Sequence, residues 1–459
     1  MSMSKTIAAI ATPSGRGGVG IVRVSGKKSH DILTRLVPDW PENFDAHRLR
    51  LSHIHDLKGE LVDESLAVFM PGPKSYTGED VVEFQCHGGP VILRRVLDAA
   101  LEAGARIAEP GEFTQRAFLN GRLDLTQAEA VADLVNATSA SAHQLALEHL
   151  QGSLGDEITD LVEVLMEAVV LVEAAIDFSH EEHVYQIETD EVGRRIVDVY
   201  DRLHTLRQRF DRGRRQREGV RAVILGRTNA GKSTLFNALH GTDRAIVTDV
   251  AGTTRDFLEE ELHLEGVAIR LVDTAGLRNT GDRVESLGIE RSREMERRAD
   301  LVIWVVDRSE GFHSEDRRQL HKLAESDRPA IIICNKSDRP AAFDDDDRRL
   351  LERFEHCFKT NLAAEPPQGL EAVVDAMAKV AVELTAGEGV LLSRARHLEG
   401  VVDAMESLQR ARQGLKMQME HELLAIDLRE ALDALGRITG KIDTDDILER
   451  IFSDFCVGK

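Results

Sequence analysis

Gly226, four intervening residues, and then Gly231, Lys232 and Ser233 form a spacing that can close a backbone around a phosphate. The apolar run Val220 to Leu225 leads in and the helix-like stretch Thr234 to Leu239 leads out, so the loop joins a strand to the start of a helix. In that setting the N–H groups of Asn229, Ala230, Gly231, Lys232, Ser233 and Thr234, with the positive end of the helix, attract anionic oxygens. The Lys232 ammonium reaches the outer phosphates, and the Ser233 hydroxyl is a hard ligand suited to Mg2+. A chance glycine-rich turn is the competing reading of the loop alone.

Three further strings follow in the order needed to reach one nucleotide. Gly252-Thr253-Thr254-Arg255-Asp256 offers a hydroxyl, from Thr254, that can join Ser233 on the metal and sense a γ-phosphate. Asp273-Thr274-Ala275-Gly276 follows an apolar strand and brings a carboxylate toward the metal's water shell, with the Gly276 amide toward the γ-phosphate. Asn335-Lys336-Ser337-Asp338 follows another strand, and a carboxylate there accepts two hydrogen bonds from guanine N1–H and its 2-amino group. Adenine has neither donor, so GTP is expected rather than ATP. Each string alone is an ordinary loop; their order and strand contexts make them one site.

The elements that must position these groups span 459 residues, about three domain lengths. With 58 Lys and Arg against 80 Asp and Glu, the formal net charge of −22 argues against a broad electrostatic grip on nucleic acid by this chain alone. Four cysteines, Cys86, Cys334, Cys357 and Cys456, lie far apart in sequence, which suggests neither a disulfide framework nor a zinc site and fits a reducing cytoplasm. No apolar run approaches the roughly 18 residues of a membrane span. Residues 1–121 read as α+β: strands over Ile7 to Thr12 and Ile21 to Ser25, a hairpin turning at Lys58-Gly59, an apolar run Val81 to Cys86 before His87-Gly88-Gly89, and a helix from Pro90 that stops at Gly104. Residues 122–218 carry a helical texture, with Thr126 and Glu129 spaced as a capping box. The arginines between Arg207 and Arg221 read as a solvated helix end and hinge, with an RNA or partner contact as the alternative. Residues 219–382 alternate strands and helices as in a mostly parallel sheet, clearest at Ala268 to Val272, Leu301 to Val306 and Ala330 to Cys334, and residues 383–459 return to helix.

The ordered set resembles the translation-factor-like GTPases. Gly252 to Asp256, with Asn229 in the phosphate loop, is similar to the tRNA-modifying GTPase family called MnmE or TrmE. GRGGVGIVRVSG over 15–26, PGEFTQRAFLNGRLDLTQAEA over 110–130, and the terminal Cys456-Val457-Gly458-Lys459 carry the same resemblance, which covers essentially the whole chain. It implies a multidomain fold: an α+β N-terminal folate-binding-like domain, a discontinuous helical bundle, and an inserted α/β P-loop GTPase domain. Leu277 stands where many GTPases place a water-orienting glutamine, and the resemblance implies Glu285 in that role; the plainer reading is a carboxylate favouring a helix start. It further implies K+ held by Asn229, Thr248, Val250 and Thr253, within a segment whose Asp249, Ala251 and Gly252 also line the nucleotide. The guanine loop expected to read Ser-Ala-Lys is instead Lys359-Thr360-Asn361-Leu362.

For the N-terminal domain the resemblance implies a 5-formyltetrahydrofolate or related cofactor, carried by Arg23, Glu83, Arg122 and Lys459. Arg122 keeps the charge a lysine would bring and changes its geometry. Cys456 is a nucleophile or a packed thiol; sequence does not choose. The implied activity is GTP-dependent addition of an aminomethyl or carboxymethylaminomethyl group at C5 of the wobble uridine of certain tRNAs, by a homodimer joined to a flavin-binding MnmG-type subunit as a heterotetramer. A ribosome-assembly GTPase and a folate-dependent aminomethyltransferase with a regulatory GTPase insert are the alternatives.

Overall fold

A computed structural model of the chain describes residues 5–177, 182–241, 259–273, 297–441, 451–452, 455 and 458, with side chains left aside at 177, 182–189, 259 and 273. The chain divides into two compact units, one of residues 1–135, 148–200 and 400–459, the other of residues 136–147 and 201–399.

The first unit holds a six-stranded sheet in the order β3-β4-β5-β2-β1-β6. Its strands are β1 (Ile7–Ile10), β2 (Gly17–Ser25), β3 (Arg50–His55), β4 (Leu61–Met70), β5 (Val81–Gly88) and β6 (Arg106–Ile107). Period-two alternation places Val22, Val24, Ala67, Phe69, Val82 and Phe84 on one face, where the helices Ser29–Leu36 and Pro90–Glu102 bury them with Ile32, Leu33, Val96 and Leu97. The β3–β4 turn forms where expected because the Asp56 carboxylate accepts hydrogen bonds from the Lys58 and Glu60 amides at 3.0 and 2.9 Å and Gly59 takes a φ of 82°. Long helices follow, Ser153–Asp177 packing on His421–Thr439. One expectation needs correcting. The helix Leu125–Asn136 is capped by Asp124 and Gln127, each side chain accepting the other's amide hydrogen at 2.8 and 3.0 Å, while Thr126 lies inside the first turn and donates to Asp124 at 2.7 Å. The box sits two residues earlier because an aspartate cap accepts the orphan N–H more strongly than threonine does.

The second unit holds a sheet in the order β12-β11-β10-β7-β9-β8. Strands β7 (Val220–Leu225), β9 (Val267–Asp273), β10 (Leu301–Asp307), β11 (Ala330–Asn335) and β12 (His356–Lys359) are parallel, and β8 (Glu259–Leu264) is antiparallel at one edge. Both faces are covered, so the central strands are apolar without alternation: Ile303 and Ile333 pack with Leu235 and Met377, Val302 and Ile332 with Leu320 and Leu350. Each such side chain contributes about 1.5–3 kcal/mol by burial. All five parallel strands deliver their carboxyl ends to one edge, where the sequence places its phosphate and guanine strings.

Candidate functional site

At the end of β7 the chain turns through Asn229, with a φ of 65°, and Gly231, with a φ of 111°, into the helix Lys232–His240. A Cβ on Gly231 would meet the Asn335 amide nitrogen at 2.1 Å, so the loop needs glycine for both conformation and space. Gly231, the helix N-cap, makes no side-chain cap hydrogen bond. The Lys232 ammonium donates to the Gly226 and Arg227 carbonyls at 3.0 and 2.6 Å, and the Ser233 and Thr234 hydroxyls are exposed beside it. Next to β7, in register at Ile224, β9 ends on Asp273.

The strings expected from sequence to face guanine lie at the tips of β11 and β12, beside β10. Asn335, 4 % exposed, donates Nδ2 to the Ala230 carbonyl at 2.9 Å while its Oδ1 accepts from Thr360 Oγ1 and the Leu362 amide, each at 3.2 Å. Lys336, at a φ of 62°, reaches Asp307 at 2.5 Å, and the Ser337 amide donates to the Thr360 carbonyl at 2.9 Å. Burial pushes the Asp307 carboxyl up, but hydrogen bonds from Lys336 and Ser309 hold it below the usual carboxylate range. The Asp338 side chain is half exposed, with Oδ2 3.9 Å from Arg339 Nε. In the loop that departs from Ser-Ala-Lys, the Thr360 hydroxyl and the Leu362 amide tie the chain to Asn335.

Thr248, Asp249, Val250, Ala251, Gly252, Thr253, Thr254, Thr274, Ala275, Gly276 and Glu285 lie outside the described residues, as do Cys456 and Lys459.

In the first unit a second constellation forms. Arg23 Nε donates to Glu83 Oε1 at 2.8 Å and Nη1 to the Gly458 carbonyl at 3.4 Å, so the penultimate residue reaches a strand at the other end of the sequence. A Cβ on Gly458, whose φ is 101°, would meet the Ile10 carbonyl at 2.4 Å; only glycine lets the tail approach β1 this closely. Tyr76 was not singled out from sequence, yet both arginines converge on its ring, Arg23 at 5.1 Å and Arg122 at 5.9 Å from the centroid. Its hydroxyl pairs with Thr114 at 2.8 Å. Of the folate candidates the structure therefore gathers Arg23, Glu83 and Arg122.

The arginine cluster is not a solvated helix end. On the helix Phe210–Glu218, Arg214 and Arg215 donate to one oxygen of buried Asp300 at 2.6 and 2.9 Å, and the Arg221 amide donates to the other at 3.0 Å. Arg212 donates to the Glu388 carbonyl at 2.8 Å. Asp300, just ahead of β10, lies too far along the chain for local patterning to reveal it as their partner.

The family model described as "GTP-binding protein TrmE N-terminus" matches residues 6–122, and that described as "MnmE helical domain" matches residues 125–456. The tRNA modification GTPase MnmE of Aquifex aeolicus is 43% identical over 459 residues and all of both chains. The MnmE of Hydrogenovibrio crunogenus is 42% identical over 464 residues, covering 100% of this chain and 99% of its own, and that of Nitrosomonas europaea 41% over 461 residues, covering 100% of each. Likeness of this degree along the entire length means that the chain belongs to the MnmE (TrmE) family of tRNA modification GTPases.

Proposed function

We propose that the chain is the GTP-hydrolysing subunit of a complex that adds an aminomethyl or carboxymethylaminomethyl group at C5 of the wobble uridine of certain tRNAs. One observation carries the nucleotide half of this reading: Asn335 binds both the phosphate loop, through Ala230, and the base loop, through Thr360 and Leu362. A single buried amide holds the two ends of a nucleotide site at fixed separation, and such preorganisation spares the ligand that ordering.

Lys232 and the amides of Asn229 to Thr234 bind the phosphates, and Asp338 selects guanine. Glu285 orients the attacking water, since Leu277 cannot polarise one. Ser233 and Thr254, with Asp273 nearby, would hold Mg2+, and Asn229, Thr248, Val250 and Thr253 would hold K+; both ions would supply positive charge against the phosphate oxygens. The exposed Ser233 hydroxyl and Asn229 amide fit these ligand types.

For the N-terminal constellation we read a 5-formyltetrahydrofolate site. Glu83 accepts from pterin N–H groups, and Arg23, Arg122 and Lys459 neutralise the glutamate tail. Two guanidinium donors around one aromatic ring, with a carboxylate acceptor beside them, suit such a ligand. Cys456 is assigned to the modification chemistry. Homodimerisation through the same domain is supported by Leu51 and Leu66, register partners on β3 and β4 that are 61% and 38% exposed. We divide the chain into residues 1–121 (folate and dimer), 122–218 and 383–459 (helical), and 219–382 (GTPase), a division supported by the helical-domain match running from 125 to 456 across the GTPase segment. A flavin-binding MnmG-type subunit, forming a heterotetramer, brings the basic tRNA surface that a chain of net charge −22 lacks. The compartment is the cytoplasm; among the described residues no helix is long and apolar enough to cross a membrane.

The deciding experiment is nucleoside analysis of tRNA from cells lacking the protein, complemented by the wild type or by Lys232→Ala. Unmodified wobble uridines restored only by the wild type are expected; unchanged nucleosides in the deletion would refute the reading.

A further inference from the structure

Cys334 lies in β11 one residue ahead of the Asn335–Asp338 loop, and Cys357 lies in β12 ahead of the Thr360–Leu362 loop. Both loops close on the guanine end, and both thiols are free. Parallel register pairs Cys357 with Ile332 and Cys334 with Lys359. Ile332 and Cys334 share one face of the sheet, so Cys357 shares it too, diagonal to Cys334 by two residues. Cys334 is buried, whereas Cys357 is exposed on a four-residue strand at the sheet edge.

We propose that Cys334 and Cys357 are a modification site, oxidised by a peroxide to a disulfide that draws β12 out of register and weakens guanine-nucleotide binding. The hydrogen bond from the Cys334 thiol lowers the Cys357 pKa and, together with burial, raises that of Cys334, which makes exposed Cys357 the attacking group. Its thiolate takes one peroxide oxygen as a sulfenic acid and hydroxide leaves. Cys334 sulfur then attacks that sulfenic sulfur, its proton passes to the departing hydroxyl, and water is released. Two electrons thus go from two thiols to one peroxide.

Residues diagonal by two on neighbouring strands have Cα atoms roughly 7–8 Å apart, against about 5.5–6 Å in a disulfide. The bridge therefore moves the edge strand. The Thr360 amide bonds the Cys334 carbonyl at 3.0 Å, and Thr360 and Leu362 bond Asn335, so displacement of β12 breaks the contacts that shape the base loop.

The inference rests on Asn335–Asp338 being the guanine loop. The full chain is treated with hydrogen peroxide, free thiols are blocked with N-ethylmaleimide, digests are weighed, and affinity for fluorescent mant-GDP is titrated. A peptide pair joined through Cys334 and Cys357 with loss of two hydrogens is expected, with roughly tenfold weaker binding. A thiol reductant should restore affinity, and Cys357→Ser or Cys334→Ala should abolish both effects. Burial pushes the Cys86 thiol up to about 12, so Cys86 should remain reduced as an internal control. Oxidation of Cys357 without a cross-link, a cross-link with unchanged affinity, or a loss that persists in Cys357→Ser would each overturn the proposal. Unchanged mant-GDP affinity of reduced Asp338→Asn would instead overturn the guanine-loop reading beneath it.

Discussion

Asn335 Nδ2 and the Ala230 carbonyl meet at 2.9 Å across 105 residues of sequence, and this contact joins the loop proposed to hold the phosphates to the strand end proposed to hold the base. Asn335→Ala removes that bond and leaves the Leu362 amide buried without its acceptor. Each loss of this kind costs about 1–3 kcal/mol. Nucleotide affinity measured by mant-GDP titration should fall by at least tenfold, roughly 1.4 kcal/mol, and Asn335→Asp, which keeps the acceptor but not the donor, should lie between. Wild-type affinity in Asn335→Ala would show that the loops hold their places independently.

In its proposed role, the Asp338 carboxylate accepts from guanine N1–H and its 2-amino group, whereas an amide there would present a donor as well. Asp338→Asn should therefore lose GDP affinity and gain affinity for xanthosine diphosphate, which carries an oxygen where guanine carries its amino group. Competition titrations with the two diphosphates check the exchange, and unaltered preference for GDP would place base recognition elsewhere. A site built to pair with polar groups discriminates by orders of magnitude against a ligand lacking them.

Much of this site was legible because its parts are local. The phosphate loop, its strand and its helix are contiguous, and β9, β10 and β11 are apolar runs long enough to read as buried strands. What escaped was of other kinds. β8 reads EEELHL, an acidic edge strand whose stability comes from pairing with β9 rather than from its own composition. Tyr76 sits in a turn-rich segment, and only the fold brings Arg23 and Arg122 to its ring. Arg214 and Arg215 looked solvated because Asp300, their partner, is 85 or more residues away.

That partnership predicts a pH dependence. Burial raises the Asp300 pKa, but the guanidinium bonds from Arg215 and Arg214 and the Arg221 amide outweigh it, so the folded value lies below the ordinary 3.8. A depressed carboxyl contributes stability that is fully present above its unfolded value and is lost as pH falls through the folded one. Asp300→Asn should destabilise the GTPase unit at pH 7 by about 3 kcal/mol, as expected when one partner of a buried pair is removed. The difference from wild type should narrow as pH drops below 3.8. Urea unfolding followed by Trp304, in a Trp40→Phe background, reports this unit; a difference independent of pH would remove the ion pair from the account.

The last prediction separates binding from hydrolysis. Asn229 holds a φ of 65°, a conformation asparagine tolerates and alanine does not, at about 1–2 kcal/mol. Asn229→Ala therefore confounds a strained loop with a missing amide, while Asn229→Gly removes the amide and keeps the loop. If the amide holds K+, Asn229→Gly should bind GTP as the wild type does yet lose the stimulation of turnover by K+ over Na+. Glu285→Ala should retain GTP binding and lose turnover in both salts, because the water-orienting carboxylate acts whatever cation is present. Equal turnover of the wild type in Na+ and K+ would dismiss the cation site, and undiminished turnover in Glu285→Ala would return that residue to the plainer role of stabilising a helix start.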